Sequence, residues 1–207
     1  MIEVKAPVTI VLIIVNIVIS LIALRNKDKY FYEFAEWPYR IVYERRIHQI
    51  VTSAFLHADF FHLFFNMFAL YTFGNILENN FINKFGEING SLYFAAIYLI
   101  SLISGSILTV MFNFKNPQYV AIGASGAVSG IIFSFIIFYP KAMLGFFFIP
   151  MPAYIFAFLY VGISLYGMKR NLGNIGHEAH LGGALGGIVS TFLIIDGSFK
   201  LFLNHFK

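Results

Sequence analysis

A serine set among small residues is the first candidate for chemistry in this chain. Ser125 lies in the stretch Gly123-Ala124-Ser125-Gly126. Small neighbours leave a serine hydroxyl open to a base, to a substrate and to backbone N–H groups that bind an oxyanion. His180 is followed by several glycines, which would let its helix pack closely against the helix of Ser125. The two residues predict a serine nucleophile with a histidine general base.

A second pair of polar residues predicts an oxyanion-binding site. His62 and Asn66 are four positions apart, so they share one face of a helix. Hydrogen-bond donors directed at one point are what an oxyanion hole requires. A polar contact between two helices is the alternative interpretation of this pair.

No acidic residue is well placed to complete a triad. Glu178 is two residues from His180 and would lie roughly on the opposite side of a helix. The chain contains no cysteine, which excludes a cysteine nucleophile, a thiolate zinc site and a disulfide framework. A Ser125–His180 dyad is therefore the simpler prediction, with tight packing in place of an orienting carboxylate.

A metalloprotease is the competing chemistry. His177 and His180 are three positions apart, whereas the zinc-protease motif H-E-x-x-H separates its histidines by four. Positions three apart still share a helix face, so a two-histidine site with His57 or Asp59 as third ligand stays open. It leaves Ser125 without a role, and we expect no metal and no cofactor.

The composition places these residues in a membrane. Hydrophobic residues make up 59% of the chain and charged residues 12%, with a mean hydropathy of +0.77. A spanning helix needs about 20 mostly apolar residues. Six runs qualify, namely residues 8–24, 58–77, 92–112, 119–139, 144–167 and 177–195. We therefore expect an all-α integral membrane protein over residues 1–207, a six-transmembrane-helix bundle forming a single domain.

The connection from Arg25 to Thr52 is the one long loop between these runs. It mixes charged residues with seven aromatic ones, a composition suited to the headgroup layer. We expect this first loop to be partly embedded in the membrane. The net charge of +4 is spread over loops and ends, so the bilayer, and not nucleic acid, is the expected partner.

The expected spans bring the candidate residues to one depth. The second, fourth and sixth spans start from the same membrane face. At 1.5 Å per residue, His62 lies ~6 Å, Ser125 ~9 Å and His180 ~5 Å along their helices, with Asn66 one turn below His62. Scattered polar residues would rarely agree so well, so we expect one shallow site.

Taken together, these motifs resemble those of the rhomboid family of intramembrane serine proteases. The resemblance rests on Trp37 and Arg40, on Thr52-Ser53-Ala54-Phe55-Leu56-His57, on His62 with Asn66, on Gly123-Ala124-Ser125-Gly126 and on Ala179-His180-Leu181-Gly182-Gly183. It implies a water-filled site below the membrane surface that cuts single membrane-spanning segments without a cofactor.

The resemblance also implies a role for each site residue. Ser125 would be the nucleophile and His180 the base, while His62, Asn66 and the backbone N–H of Ser125 would bind the oxyanion. Some family members carry an aromatic residue, packed on the histidine, four positions after the serine, where this chain has Ser129. An inactive rhomboid-like protein that only binds membrane segments is the other alternative, although such proteins lose the serine or the histidine.

Two arguments disagree about orientation. The resemblance implies a prokaryotic plasma membrane, with the N-terminus inside and the active site opening to the outside. Lys and Arg are more frequent in the loops on the active-site side, and the positive-inside rule would turn that side to the cytoplasm. We expect the first arrangement because most of the excess lies in the one long loop, where charges need not report on translocation.

Overall fold

The computed structural model describes residues 6–146, 149–170 and 176–207, and the chain is mostly helical. Helices Pro7–Leu24 (α1), Phe60–Phe85 and Glu87–Asn113 (α7) are each long and apolar enough to cross a membrane. A fourth span results if His177–Ile194 (α10) and Ser198–Asn204 (α11), which are bent by 109°, are counted together. An all-helical membrane protein therefore fits, while three to four of the described helices, and not six, meet this criterion.

The first loop and the second span are each built from several short helical segments. The first loop contains Lys27–Phe34 (α2), Pro38–Tyr43 (α3), Gln49–Thr52 (α4) and a 3-10 turn at Ser53–Phe55. The second span comprises Phe60–Ala69 (α5), a short π-helix at Leu70–Gly74 and Asn75–Phe85 (α6). Embedding of the first loop stays a prediction. Several of its large apolar residues are exposed, as an interfacial segment requires.

The expected and observed helix bounds agree best at the two ends of the chain. The spans expected at residues 8–24 and 177–195 are α1 and α10 to within one residue. The second span, expected at 58–77, continues to Phe85, and the third, expected at 92–112, begins at Glu87. Polar residues in these extensions hid their helical character from a hydropathy argument.

The fourth span starts later than expected. It was expected at 119–139, but helix α8 runs from Ser125 to Phe138. Gly123 has a positive φ of 118°, and Ala121 pairs with Glu36 in an isolated antiparallel bridge. A backbone in these conformations cannot be helical, so Ser125 is the first residue of the helix and not a residue one turn or more inside it.

The fifth span was expected at 144–167, and its first part is not helical. Strands Met143–Phe146 (β1) and Ile149–Pro152 (β2) pair antiparallel, with Met143 opposite Pro152, and residues 147 and 148 lie outside the described part of the chain. Helix α9 begins only at Ala153 and ends at Arg170. Pro150 and Pro152 lie in strand β2 and not inside a helix, because proline breaks helices and is tolerated in edge strands.

Helix α8 lies at the centre of the bundle. All its residues from Gly126 to Phe138 are buried. Helices α1 and α9 have few buried residues and expose apolar side chains instead, as a lipid-facing surface does. The nucleophile candidate therefore begins the innermost helix.

Glycines bring α10 into close contact with two helices. A Cβ at Gly183 would collide with the carbonyl oxygen of Gly126 in α8, and a Cβ at Gly187 with that of Gly130. The other row of glycines on α10 contacts α7, where a Cβ at Gly182 would lie 2.5 Å from the Ser104 carbonyl oxygen. The predicted contact between the sixth and fourth spans is confirmed, and α10 is held between α7 and α8.

Candidate active site

Ser125 is the first residue of α8, and it is partly exposed. The first hydrogen bond of this helix runs from the Val128 N–H to the Ala124 carbonyl at 2.9 Å. The N–H groups of Ser125, Gly126 and Ala127 therefore have no partner within the helix. A helix N-terminus also carries a partial positive charge. This position favours negative charge that develops next to the serine.

The loop before Ser125 is fixed by contacts with the first loop and its 3-10 turn. Ala121 and Glu36 exchange two backbone hydrogen bonds of 2.9 Å. Further along, the Gly123 N–H donates to the Ser53 carbonyl at 3.0 Å, and the Ala124 N–H to His57 Nε2 at 3.4 Å. Glu36, Ser53 and Ala121 were not predicted as part of the site. His57 was named only as an alternative metal ligand and not as a support for this loop. Ser53 and His57 belong to a recognised motif, but nothing in their spacing points to this loop.

His57 is a structural residue in this arrangement. Its Nε2 accepts from Ala124, so the proton is on Nδ1, which donates to Ser20 Oγ at 2.8 Å. Ser20 Oγ donates in turn to the Phe55 carbonyl at 2.8 Å. Burial lowers the pKa of His57 to about 3, so the ring is neutral. Both ring nitrogens are engaged, which removes His57 as a third metal ligand.

His62 lies against the same loop. A Cβ at Gly123 would be 2.7 Å from His62 Cε1 and 2.8 Å from Nε2, so glycine is needed here for space as well as for φ. The Ala58 N–H donates to His62 Nδ1 at 3.4 Å, which leaves the proton on Nε2. The N–H edge of the imidazole is thereby turned toward the chain leading into Ser125.

Asn66 lies one helical turn after His62 in α5. It is 7% exposed, and its Nδ2 donates to the His62 carbonyl at 2.9 Å. An amide nitrogen carries two protons, so one is left for another acceptor. The predicted pair shares one helix face, and the structure brings the ring of His62 to Gly123.

His180 lies in the first turn of α10, which packs against the first turn of α8. A Cβ at Gly126 would be 3.2 Å from the carbonyl oxygen of Ala179. The first turns of α5, α8 and α10 thus lie together, and with them Ser125, His180 and His62. Their catalytic roles stay predictions.

An aromatic residue packs on His180 after all. The ring centroid of Tyr160 in α9 lies 5.9 Å from that of His180. Ser129, at the position where some relatives carry this aromatic, hydrogen-bonds the hydroxyl of Tyr160 instead. Sequence reasoning missed Tyr160 because it lies on a different helix and no spacing links the two residues.

The metal hypothesis gains no support from the side chains named for it. The His177 ring packs against Gly167 of α9, and its centroid is 6.4 Å from that of His180. Asp59 caps α5 by accepting the His62 N–H at 2.8 Å. In the described parts of the chain, no three His, Asp or Glu side chains group so as to hold a metal.

Glu178 turns away from the histidine, as predicted. Its Oε2 accepts a hydrogen bond of 3.3 Å from the Tyr119 hydroxyl. Burial and the neighbouring Glu178 carboxyl group raise the pKa of Tyr119, so the phenol keeps its proton and donates. No triad with His180 results.

A buried acid lies close to the start of α8. Glu36, expected at the membrane interface, is only 5% exposed and accepts a hydrogen bond from Ser106 Oγ. A cavity of about 20 Å³, large enough for one water, is lined by Glu36, Ser53, Ser106 and Gly126 among others. Burial raises the pKa of Glu36 to about 8.

The fold and this arrangement define a helical membrane protein with a polar site at the starts of three helices. The family model described as Rhomboid domain matches residues 44–197. The chain therefore belongs to the rhomboid family.

Individual relatives support the same assignment. RHOMBOID-like protein 12, mitochondrial, of Arabidopsis thaliana is 30% identical over 75% of this chain and 48% of its own length. Rhomboid protein 1, mitochondrial, of Saccharomyces cerevisiae is 30% identical over 70% of this chain and 41% of its own. YdcA, a candidate rhomboid protease of Bacillus subtilis, is 30% identical over 72% of this chain and 67% of its own. The chain spans about half the length, or less, of the first two.

These relatives correct the expected location. The expectation of a prokaryotic plasma membrane, with the site opening to the cell exterior, is wrong, because two of these relatives are mitochondrial proteins. The physical reason is that apolar runs of about 20 residues suit any bilayer. Composition indicates a membrane but not which one.

Proposed function

We propose that this chain is an intramembrane serine protease of the rhomboid type. The observation that carries the proposal is the meeting of three helix starts. Gly126, next to Ser125, lies against Ala179 of α10, and Gly123 lies against the ring of His62. Membership of the rhomboid family supports it at the level of the class.

The proposed reaction has two steps. His180 takes the proton from Ser125 Oγ as this oxygen attacks the scissile carbonyl carbon, and then gives it to the leaving amine. Water next attacks the acyl-enzyme ester, again with His180 as base, and releases the acid and the free serine. His62 Nε2–H, Asn66 and the Ser125 N–H bind the oxyanion formed in each step. The N–H groups at the start of α8 have no partner within the helix, so they also favour the negative charge of this oxyanion.

The proposed substrates are membrane-spanning segments of other proteins. Helix α8 has 14 residues, so it is about 21 Å long, whereas the hydrocarbon core is about 30 Å thick. In the proposed bundle of six spans over residues 1–207, this short central helix supports a site recessed below the membrane surface. A substrate helix must unwind there, because its carbonyls are otherwise hydrogen-bonded.

We also propose that the chain resides in a mitochondrial membrane, on the basis of its mitochondrial relatives. Expression as a fluorescent fusion in yeast, followed by organelle fractionation, would test this. Recovery in the plasma-membrane fraction would contradict it.

The function is tested with purified protein in liposomes and a co-reconstituted model transmembrane substrate. We expect cleavage by the parent chain and none by Ser125→Ala, with the melting temperature nearly unchanged because the lost hydroxyl is partly exposed. A fluorophosphonate should label Ser125 alone. Cleavage by Ser125→Ala would remove this residue as nucleophile.

Two other results would select the alternatives. Binding of the substrate by the parent chain without cleavage or labelling would favour an inactive binding protein. Loss of cleavage on addition of EDTA would favour the metalloprotease.

A further inference from the structure

One side chain links the helix of the nucleophile, the helix of the base and the outer helix α9. Tyr160 lies in α9, and its ring faces His180 with centroids 5.9 Å apart and planes 32° apart. We propose that Tyr160 is a positioning residue that holds the His180 imidazole in the orientation needed for proton transfer with Ser125. This inference rests on the proposed function.

The hydroxyl of Tyr160 is anchored on the nucleophile's helix. Ser129 Oγ donates a hydrogen bond to the Ser125 carbonyl at 2.6 Å and also bonds the Tyr160 hydroxyl. A serine hydroxyl has one proton, so Tyr160 must be the donor in the second bond. Two consecutive hydrogen bonds therefore join Tyr160 through Ser129 to the backbone of Ser125. The ring of the same tyrosine contacts His180.

The ring itself is restrained from two further directions. Phe133 of α8 lies 5.5 Å from it in an edge-on arrangement, and Phe156 lies 5.7 Å away one turn earlier in α9. A ring held at its hydroxyl and between two aromatic neighbours has little freedom to turn. It therefore offers His180 a fixed surface.

The position of Tyr160 makes the base depend on α9. The buried residues of this helix are Ala153, Ser164 and Gly167, so most of it does not face the core. If α9 moves away from the bundle, the ring leaves His180. The packing of α9 against the bundle is therefore required for the correct orientation of the His180 imidazole as well as for a closed bundle.

Loss of the Tyr160 ring should slow the chemical step and leave substrate binding unaffected. An imidazole without a fixed orientation spends less time aligned with the serine, which lowers kcat and leaves KM unchanged. Aromatic pairs stabilise each other beyond burial alone, so we expect a loss of roughly 10-fold at most when the ring is removed.

The test compares Tyr160→Leu, Tyr160→Phe and Ser129→Ala with the parent chain in liposomes. The readouts are kcat, KM, the rate of Ser125 labelling by a fluorophosphonate, and the melting temperature. Tyr160→Leu should lower kcat and the labelling rate in parallel by roughly 10-fold at constant KM. Tyr160→Phe should recover most of both rates, since it keeps the ring. Ser129→Ala should behave as Tyr160→Phe does, because both variants keep the ring and lose the bond between the Ser129 and Tyr160 hydroxyls.

The matched control is Tyr166→Leu, a tyrosine of the same helix that is 58% exposed. It should keep parental rates. If Tyr160→Leu is recovered unfolded, Tyr160→Met takes its place with the same expectation. Parental kcat in a non-aromatic variant, or a rise in KM alone, would overturn the inference. Failure of the parent chain to cleave or to be labelled would instead refute the proposed function.

Discussion

His62 shows how one backbone contact decides what a side chain can do. The Ala58 N–H occupies Nδ1, which leaves Nε2 as the proton-bearing atom beside Gly123. The opposite tautomer would turn an acceptor toward the site and repel an oxyanion. Asn66 depends on the same turn of helix, because its amide donates to the His62 carbonyl. At the scale of single residues, the two are therefore expected to act as donors.

Removal of either donor should slow the chemical step. We expect His62→Ala and Asn66→Ala each to lower kcat by about 10²-fold, the usual cost of one lost oxyanion donor. The measurement is steady-state cleavage of a transmembrane substrate in liposomes. His48→Ala, an exposed first-loop histidine, should keep parental kcat. A rise in KM with unchanged kcat would make the pair substrate-binding residues.

At the scale of elements, the site depends on how closely three helices approach one another. Helix α10 presents one row of glycines to α8 and another to α7. Close approach of backbones is how helices associate in lipid, where no hydrophobic effect drives them together. Residues near the start of α10 reach the start of α8 because glycines, which have no side chains, occupy the close approaches at Gly183 and Gly187.

A single methyl group in this contact should loosen the bundle. Gly187→Ala places a Cβ against the backbone of Gly130, and we expect a loss of about 1–3 kcal/mol in stability. The thermal unfolding midpoint in detergent measures it. Gly162→Ala is the matched control, because apart from the adjoining backbone of α9 no atom of the described residues lies within 4 Å of the added Cβ. Equal midpoints for the two variants would contradict the packing argument.

At the scale of the whole molecule, two buried titratable groups outside the spans give stability a pH dependence. The pKa of Glu36 is raised from 4.5 to about 8, so stability falls as the pH rises through that window. The pKa of His57 is lowered from 6.5 to about 3, so stability is lost as the pH falls through that window. The two effects oppose each other between pH 4.5 and 6.5, where stability should be flat.

Glu36→Gln should abolish the decrease on the alkaline side. The amide keeps an acceptor for Ser106 but cannot ionise, so a slope of roughly 1 kcal/mol per pH unit should disappear above pH 6.5. Unfolding midpoints in detergent from pH 4 to 9 provide the measurement. Glu44→Gln, an exposed acid of the same loop, should behave as the parent does. An unchanged slope in Glu36→Gln would show that another group is responsible.

The sequence by itself determined the class of protein, the family resemblance, and the four candidate residues Ser125, His180, His62 and Asn66. These follow from local composition and from spacing within single helices, because the helical repeat decides which nearby residues share a face. The contact between α8 and α10 was also predictable, because a row of glycines on one helix requires a close neighbour.

Only the tertiary structure decided what surrounds these residues. Tyr160, Glu36 and His57 reach the site from α9, from the first loop and from the segment before α5, and no local pattern relates such distant positions. The later starts of α8 and α9 have the same origin, since apolar residues at 119–124, 143–146 and 149–152 satisfy a hydropathy argument yet form a bridged loop and two paired strands. Hydropathy measures the preference for lipid, whereas backbone conformation there depends on Gly123, Pro150 and Pro152 and on partners distant in the chain.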